Sequence, residues 1–312
     1  MTYSELRDAL MICYHCGITP FIWGETGLGK SECTFDLTVQ NDFGFIDMRL
    51  SQMESTDLRG LPDKQNGMTV YLPPVDLPVA GLSDKEYHAL IAAEADQYGK
   101  LKVARANQRK RTRGFLFLDE LPRAQEDVQQ ACFQLVLNRA IGPNYVVPPG
   151  WFVVCAGNYL EGGYQQNGFT DPAFINRFCH LELSRGVKTL PEWIDYMTTT
   201  FGPSISDITQ FASTDMNYLD GPPRGKTDLG FTILPSRRSW EKVHSVMHFL
   251  SEEKKIEGCT CRWCTGKETY STASKWSVIA GLIGVDCQSS FKDAKVTVKP
   301  HDLLEKGIDK HR

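Results

Sequence analysis

The residues best suited to chemistry form one short run, Gly24-Glu25-Thr26-Gly27-Leu28-Gly29-Lys30-Ser31. It satisfies the G-x-x-x-x-G-K-[ST] spacing of a phosphate-cradling loop. The spacing has a physical origin: glycines let backbone N–H groups turn inward around phosphate oxygens, and the helix that follows directs its positive end at the same charge. In such a loop Lys30 reaches the terminal phosphates and the Ser31 hydroxyl is a ligand for Mg²⁺. A second run, Gly114-Phe-Leu-Phe-Leu-Asp119-Glu120, is an apolar strand ending in two acids. Alone it is also the pattern of a strand reaching solvent. Beside a phosphate loop, Asp119 is suited to the Mg²⁺ shell and Glu120 to polarising a water for attack on a γ-phosphate. That glutamate favours water as acceptor, hence hydrolysis of ATP over transfer to a metabolite.

These groups need elements to hold them. Leu6, Leu10, Met11 and Cys13 recur at helical spacing over 3–16, and Gly17 follows as a stop signal. Thr19 to Trp23 is a buried-strand pattern running into the glycine loop, and a helix-compatible stretch resumes from Lys30 to about Gln40. Further strands are expected at 43–49, 115–118, 151–156 and 179–183, and helices at about 84–109, 126–139 and 171–178, with 51–82 as loop. Alternating strands and helices argue for an α/β fold on a parallel sheet, closing near residue 184. From 185 to 312 the pattern is a smaller, mainly helical domain. Helices are expected at about 190–200, 239–253 and 272–283, a Gly/Pro-rich connector at 220–230, and a polar tail over the last twenty residues.

Composition bounds the rest. Hydrophobic residues are 41% of the 312, and no apolar run approaches the ~20 residues of a membrane span. The first ten residues mix charges and lack the apolar stretch and cleavage site of a secretory signal, so a cytoplasmic protein is expected. The formal charge of −4 gives no global field for a polyanion. Nucleic acid is therefore not an expected partner, although charge alone leaves it open. Ten cysteines, including Cys33 beside the loop and Cys155 in an apolar run, suit reduced, buried thiols better than a disulfide framework.

The residues after Glu120, Leu-Pro-Arg123-Ala-Gln, resemble the Asp-Glu-Ile-Asn-Arg-Ala segment of the MoxR branch of AAA+ ATPases, the type associated with von Willebrand factor A proteins. Asp57-Leu-Arg-Gly60 resembles that family's Asp-Leu-x-Gly segment. Pro148 to Asn158 resembles the strand carrying its sensor-1 residue, which implies that Asn158 orients the attacking water. A turn asparagine at a strand end is the plain alternative. Asp171-Pro-Ala-Phe-Ile-Asn-Arg177-Phe178 resembles the segment bearing an arginine that reaches a neighbouring subunit's γ-phosphate, so the resemblance makes Arg177 an arginine finger; a surface-paired arginine is the alternative. Pro235-Ser-Arg-Arg238-Ser-Trp240 is similar to the lid motif with sensor 2. It aligns Arg238 with the family arginine and puts Arg237 where proline is usual.

The resemblance implies a P-loop NTPase α/β domain over 1–184 with a helical lid over 185–312. It implies a ring homo-oligomer, commonly a hexamer, using Mg²⁺ and ATP to remodel a protein client, with a von Willebrand factor A-domain protein as partner. A nucleic-acid-dependent translocase or helicase, and a slow nucleotide-sensing assembly scaffold, are the alternatives. Two features fall outside the motifs. The run Arg109-Lys-Arg-Thr-Arg113 reads as a solvated face or as a contact for an acidic partner or nucleic acid. Cys259, Cys261 and Cys264 resemble half of a structural Zn²⁺ site, with His244, His248 and Cys287 as conceivable completions and no second C-x-x-C pair.

Overall fold

In the computed structural model, residues 1–74, 76–98, 108–142, 144–158, 172–221, 233–251 and 272–297 are described. The chain divides into two compact units, Met1–Ser184 and Arg185–Arg312.

The first unit opens with helix α1 (Tyr3–Cys16). Thr2 and Glu5 form a reciprocal capping box at its start, and Gly17, at φ 67°, closes it in the left-handed conformation that glycine adopts without a Cβ penalty. Strand β1 (Pro20–Trp23) leads through the glycine loop into α2 (Lys30–Gln40), followed by β2 (Gly44–Arg49), a short α3 (Ser55–Arg59) and the hairpin β3 (Leu61–Gln65) and β4 (Met68–Leu72). Next come α4 (Asp84–Tyr98), β5 (Gly114–Asp119), α5 (Glu126–Asn138), the small hairpin β6 (Ala140–Ile141) and β7 (Tyr145–Val146), β8 (Trp151–Gly157), α6 (Pro172–Ile175) and β9 (Cys179–Glu182).

Five strands form one parallel sheet in the order β2-β5-β8-β1-β9. From β1 the chain moves to the far edge at β2, steps back through β5 and β8, then passes to the other side of β1 at β9. Parallel pairing sends all five carboxyl ends to one edge of the sheet, where the connection reverses direction and ligands of such folds bind.

Alternation along the central strands buries both faces, as a covered parallel sheet requires. Phe115 and Phe117 of β5 and Phe152, Val154 and Ala156 of β8 pack with Leu6, Leu10 and Cys13 of α1 and Cys33 and Leu37 of α2. Leu116, Leu118, Val153 and Cys155 pack on the opposite face with Val128, Ala131, Cys132 and Leu135 of α5. Each fully buried large side chain contributes roughly 1.5–3 kcal/mol.

The stretch 51–82 differs from the expected loop. It holds α3 and the β3–β4 hairpin, whose turn places Asn66 at φ 53° and Gly67 at φ 80°, the pairing that matches strand twist in a two-residue turn. All but one of the hairpin's strand residues are exposed, so the strand-and-core pattern used elsewhere gave no signal there. Helix α4 is described over Asp84–Tyr98 and Gln108–Lys110 forms a 3₁₀ turn; the rest of the helix expected to residue 109 lies outside the described residues.

Among its described residues the second unit is helical: α7 (Leu190–Phe201), α8 (Ser206–Thr214), α9 (Met216–Asp220), α10 (Arg237–Ser251), α11 (Thr272–Ile283) and α12 (Val285–Thr297). Its core joins Trp193, Met197, Phe211, Trp240, Ile279 and Phe291. Helix α12 was not anticipated, because its few apolar positions sit among polar ones and Gly284 reads as a terminus.

Two glycines test this packing with opposite signs. A Cβ on Gly114 would lie 2.5 Å from the Gly44 carbonyl oxygen and 2.8 Å from the Trp151 ring, whereas one on Gly281 in α11 meets nothing within 4 Å. Gly114→Ala is expected to destabilise by about 1–3 kcal/mol, and Gly281→Ala to stabilise by about 0.5–1 kcal/mol, both read by urea denaturation.

Candidate functional site

The glycine loop spans the end of β1 and the start of α2. Gly27 and Gly29 have φ 87° and 79°, left-handed values that a side chain would strain, and Gly29 forms the amino-terminal boundary of α2. Leu28 points inward and is buried with α1 and α2, anchoring the loop to the core. Its carbonyl accepts a 2.8 Å hydrogen bond from the Tyr3 hydroxyl, tying α1 to the same loop.

Lys30 is 8% exposed. Its Nζ donates to the Gly24 carbonyl at 2.9 Å, the Glu25 carbonyl at 3.1 Å and Asn158 Oδ1 at 2.7 Å. Asn158 in turn donates through Nδ2 to Thr26 Oγ1 at 3.0 Å. The ammonium is thereby aimed into the loop by oxygen acceptors, and Asn158 bridges the loop to the end of β8. The Ser31 hydroxyl donates to Asp119 Oδ2 at 3.3 Å, joining the first turn of α2 to the end of β5. A hydroxyl and a carboxylate meeting here are hard oxygen donors, the set that suits Mg²⁺.

Glu120 follows Asp119 with φ 56°, an uncommon conformation for a residue with a side chain and one that concentrates at functional positions. Its backbone N–H donates to Asp119 Oδ1 at 2.8 Å. Its carboxylate accepts a short hydrogen bond from the Ser51 hydroxyl and lies 3.8 Å from Arg123 Nη1. Ser51 lay in a stretch read as loop and has no motif spacing to mark it; what places it here is the β2–β5 register, which pairs Arg49 with Asp119. The same register brings Asp47 close. Desolvation, then the negative charges of Asp119 and Glu120, push the Asp47 carboxyl above its usual range, with Arg49 pulling the other way.

Arg177 is exposed on the turn after α6. In the second unit the adjacent arginines separate cleanly. Arg237 is 3% exposed and forks onto Asp220, with Nε to Oδ1 at 2.9 Å and Nη2 to Oδ2 at 3.0 Å, while Nη1 reaches the Thr189 carbonyl at 3.2 Å. Arg238, one position on, is exposed. Arg237 is thus committed to holding α10 against α9, which leaves Arg238 as the guanidinium presented to solvent.

Two arginines of the basic run have local partners. Arg111 Nη1 bonds the Asp42 carboxylate and carbonyl, each at 2.7 Å, and the guanidinium stacks 4.4 Å from the Tyr87 ring centre. Arg113 lies 3.9 Å from Asp84 and 5.4 Å from the Phe43 ring centre. Cys259, Cys261 and Cys264 fall outside the described residues; among those that are described, no cluster of three or more His, Cys, Asp or Glu is arranged to hold a metal ion, and no helix is long and apolar enough to cross a membrane.

No protein-family profile matches the chain, and no curated protein matches it. Among solved structures it is similar to a candidate ATPase from Cytophaga hutchinsonii, with 12% identity, TM-score 0.43, and coverage of 95% of this chain and 89% of that one. NtrX from Brucella abortus in complex with ADP is similar at 12% identity and TM-score 0.43, over 93% of this chain and 60% of NtrX. A second structure of the same NtrX gives 12% identity and TM-score 0.37, over 90% and 68%.

The contrast between the paired arginines is measurable. Arg237→Ala strands a buried carboxylate and is expected to cost about 3–5 kcal/mol of stability, whereas Arg238→Ala is expected to stay within about 0.5 kcal/mol of wild type, both by chemical denaturation.

Proposed function

We propose that this chain is an ATP-hydrolysing motor of the AAA+ type, similar to the MoxR branch, working as a ring of identical subunits on a protein client. The observation that carries the reading is the convergence of Lys30, Ser31, Asp119 and Asn158 on one loop mouth, with Glu120 adjoining Asp119.

The roles follow from group chemistry. The loop N–H groups and the start of α2 bind the phosphates, and Lys30 exchanges its carbonyl and amide acceptors for phosphate oxygens. Ser31 and Asp119 would hold Mg²⁺, whose charge would offset that of the phosphates. Glu120 is the group that takes a proton from the attacking water, and Asn158 orients that water. Ser51 and Arg123 hold the Glu120 carboxylate before a substrate arrives, so the base starts from a fixed position. Arg177, exposed on its turn, supplies a guanidinium to the γ-phosphate on a neighbouring copy, and Arg238 is the arginine that aligns with the family's sensor 2. A von Willebrand factor A-domain partner belongs to the same reading.

A protein client is favoured over a nucleic acid by the formal charge of −4 and by Arg111 of the basic run being engaged with Asp42 and Tyr87.

A shared site makes turnover depend on assembly. Wild-type specific activity is expected to rise cooperatively with protein concentration, and Arg177→Ala to bind ATP with little change while losing about 10³-fold or more in turnover. Phosphate release measured across a dilution series checks both. Specific activity that is flat with concentration, with Arg177→Ala unimpaired, overturns the ring mechanism; stimulation by single-stranded DNA with a steep salt dependence transfers the motor to nucleic acid.

A further inference from the structure

The β1–β9 register sets Phe21 beside His180, and Trp23, two residues further along β1, shares their face of the sheet. Trp23 Nε1 donates to His180 Nδ1 at 2.8 Å. An indole N–H is only a donor, so Nδ1 must be the unprotonated nitrogen and the ring proton sits on Nε2. That nitrogen lies 2.9 Å from the Ile175 carbonyl oxygen and donates to it. The histidine is therefore held in one tautomer between two partners.

Each partner adjoins a group of the proposed reaction. Trp23 immediately precedes Gly24, the first residue of the phosphate loop. Ile175 ends α6 and sits inside the turn that carries Arg177, closed by Arg177 N–H to the Phe174 carbonyl at 3.1 Å and Phe178 N–H to the Ile175 carbonyl at 3.3 Å. With only four residues, α6 is too short to hold its own geometry and takes it from what surrounds it. Phe174 and Phe178 supply the apolar part, packing ring to ring at 4.8 Å, with Phe178 at 5.3 Å from Phe21. His180 supplies the directional part, because its bond fixes the peptide at the centre of the turn.

We propose that His180 is a positioning residue. It fixes the turn that carries Arg177 relative to the strand that feeds the phosphate loop, so that the guanidinium is delivered to the neighbouring subunit in a set place. The inference rests on the reading of Arg177 as acting on an adjacent copy. The phosphate loop has its own restraints in Lys30, Tyr3 and Leu28, so loss of His180 falls on the Arg177 side of the link.

Mixed assemblies separate the two sides. Subunits carrying Lys30→Ala supply only the finger, and subunits carrying Arg177→Ala supply only the nucleotide site. Mixing them is expected to restore phosphate release. Adding His180→Phe, which keeps a ring but neither nitrogen, to the finger-supplying subunits is expected to lower the restored kcat about tenfold without moving KM for ATP. The same change in the site-supplying subunits is expected to alter kcat less than about twofold. Equal effects from either side, no effect from either, or a change confined to KM overturns the proposal. If mixing restores nothing while His180 is intact, the shared-site reading falls first and the proposal with it. Should His180→Phe fail to fold, Trp23→Phe removes the indole donor and leaves a phenyl ring where the indole stacks 4.3 Å from Phe21, and the same asymmetry is required of it.

Discussion

Parallel pairing of β5, β8 and β1 is the constraint on which the candidate site depends. These strands lie side by side, with Leu118 opposite Cys155 and Gly157 opposite Trp23, so Asp119, Asn158 and Gly24 emerge at the same edge of the sheet. A one-residue slip would turn alternate side chains to the opposite face and break both apolar layers at once. Burial of Phe115, Phe117 and Val154 on one side and Leu116, Leu118 and Val153 on the other therefore fixes the chemistry as well as the fold. The polar contacts of Lys30, Asn158, Ser31 and Asp119 sit on top of that arrangement and are its consequence.

Charge is managed differently in the two units. At the sheet edge, Asp47, Asp119 and Glu120 gather negative potential, offset by Arg49 and Arg123 near their carboxylates. A region so arranged attracts cations and uses their charge to accept phosphate. In the helical unit the buried Arg237 guanidinium also donates to the Thr189 and Gly186 carbonyls and the Asp220 carboxylate also accepts from the Gly186 N–H, so neither charge depends on the other alone. Such a pair fixes where α10 starts, and the direction of the next residue, Arg238, follows from it.

Strands with continuous apolar runs were legible in the sequence: β1, β5 and β8 lie where those runs place them, because a strand covered on both faces needs apolar residues at every position. The residues of the glycine loop and the Asp119-Glu120 pair were legible because their chemistry depends on spacing within one segment. Contacts made by register were not. Ser51 meets Glu120 and Asp47 approaches Asp119 only because β2 lies beside β5, a fact of strand order that no local pattern encodes. The β3–β4 hairpin was missed for the opposite reason, since exposed strands have no core to impose alternation. Arg237 and Arg238 look alike as letters, and only the position of Asp220 tells them apart.

The central claim is that Lys30, Ser31, Asp119 and Glu120 form one site that binds and hydrolyses ATP. Its most direct test is paired measurement of ATP affinity and phosphate release for the purified chain and for Glu120→Gln, with Mg²⁺ present. Retained ATP binding with phosphate release reduced by about 10²-fold or more is the result the account predicts. Hydrolysis by Glu120→Gln at the wild-type rate, or a wild-type chain that binds no nucleotide, would contradict it.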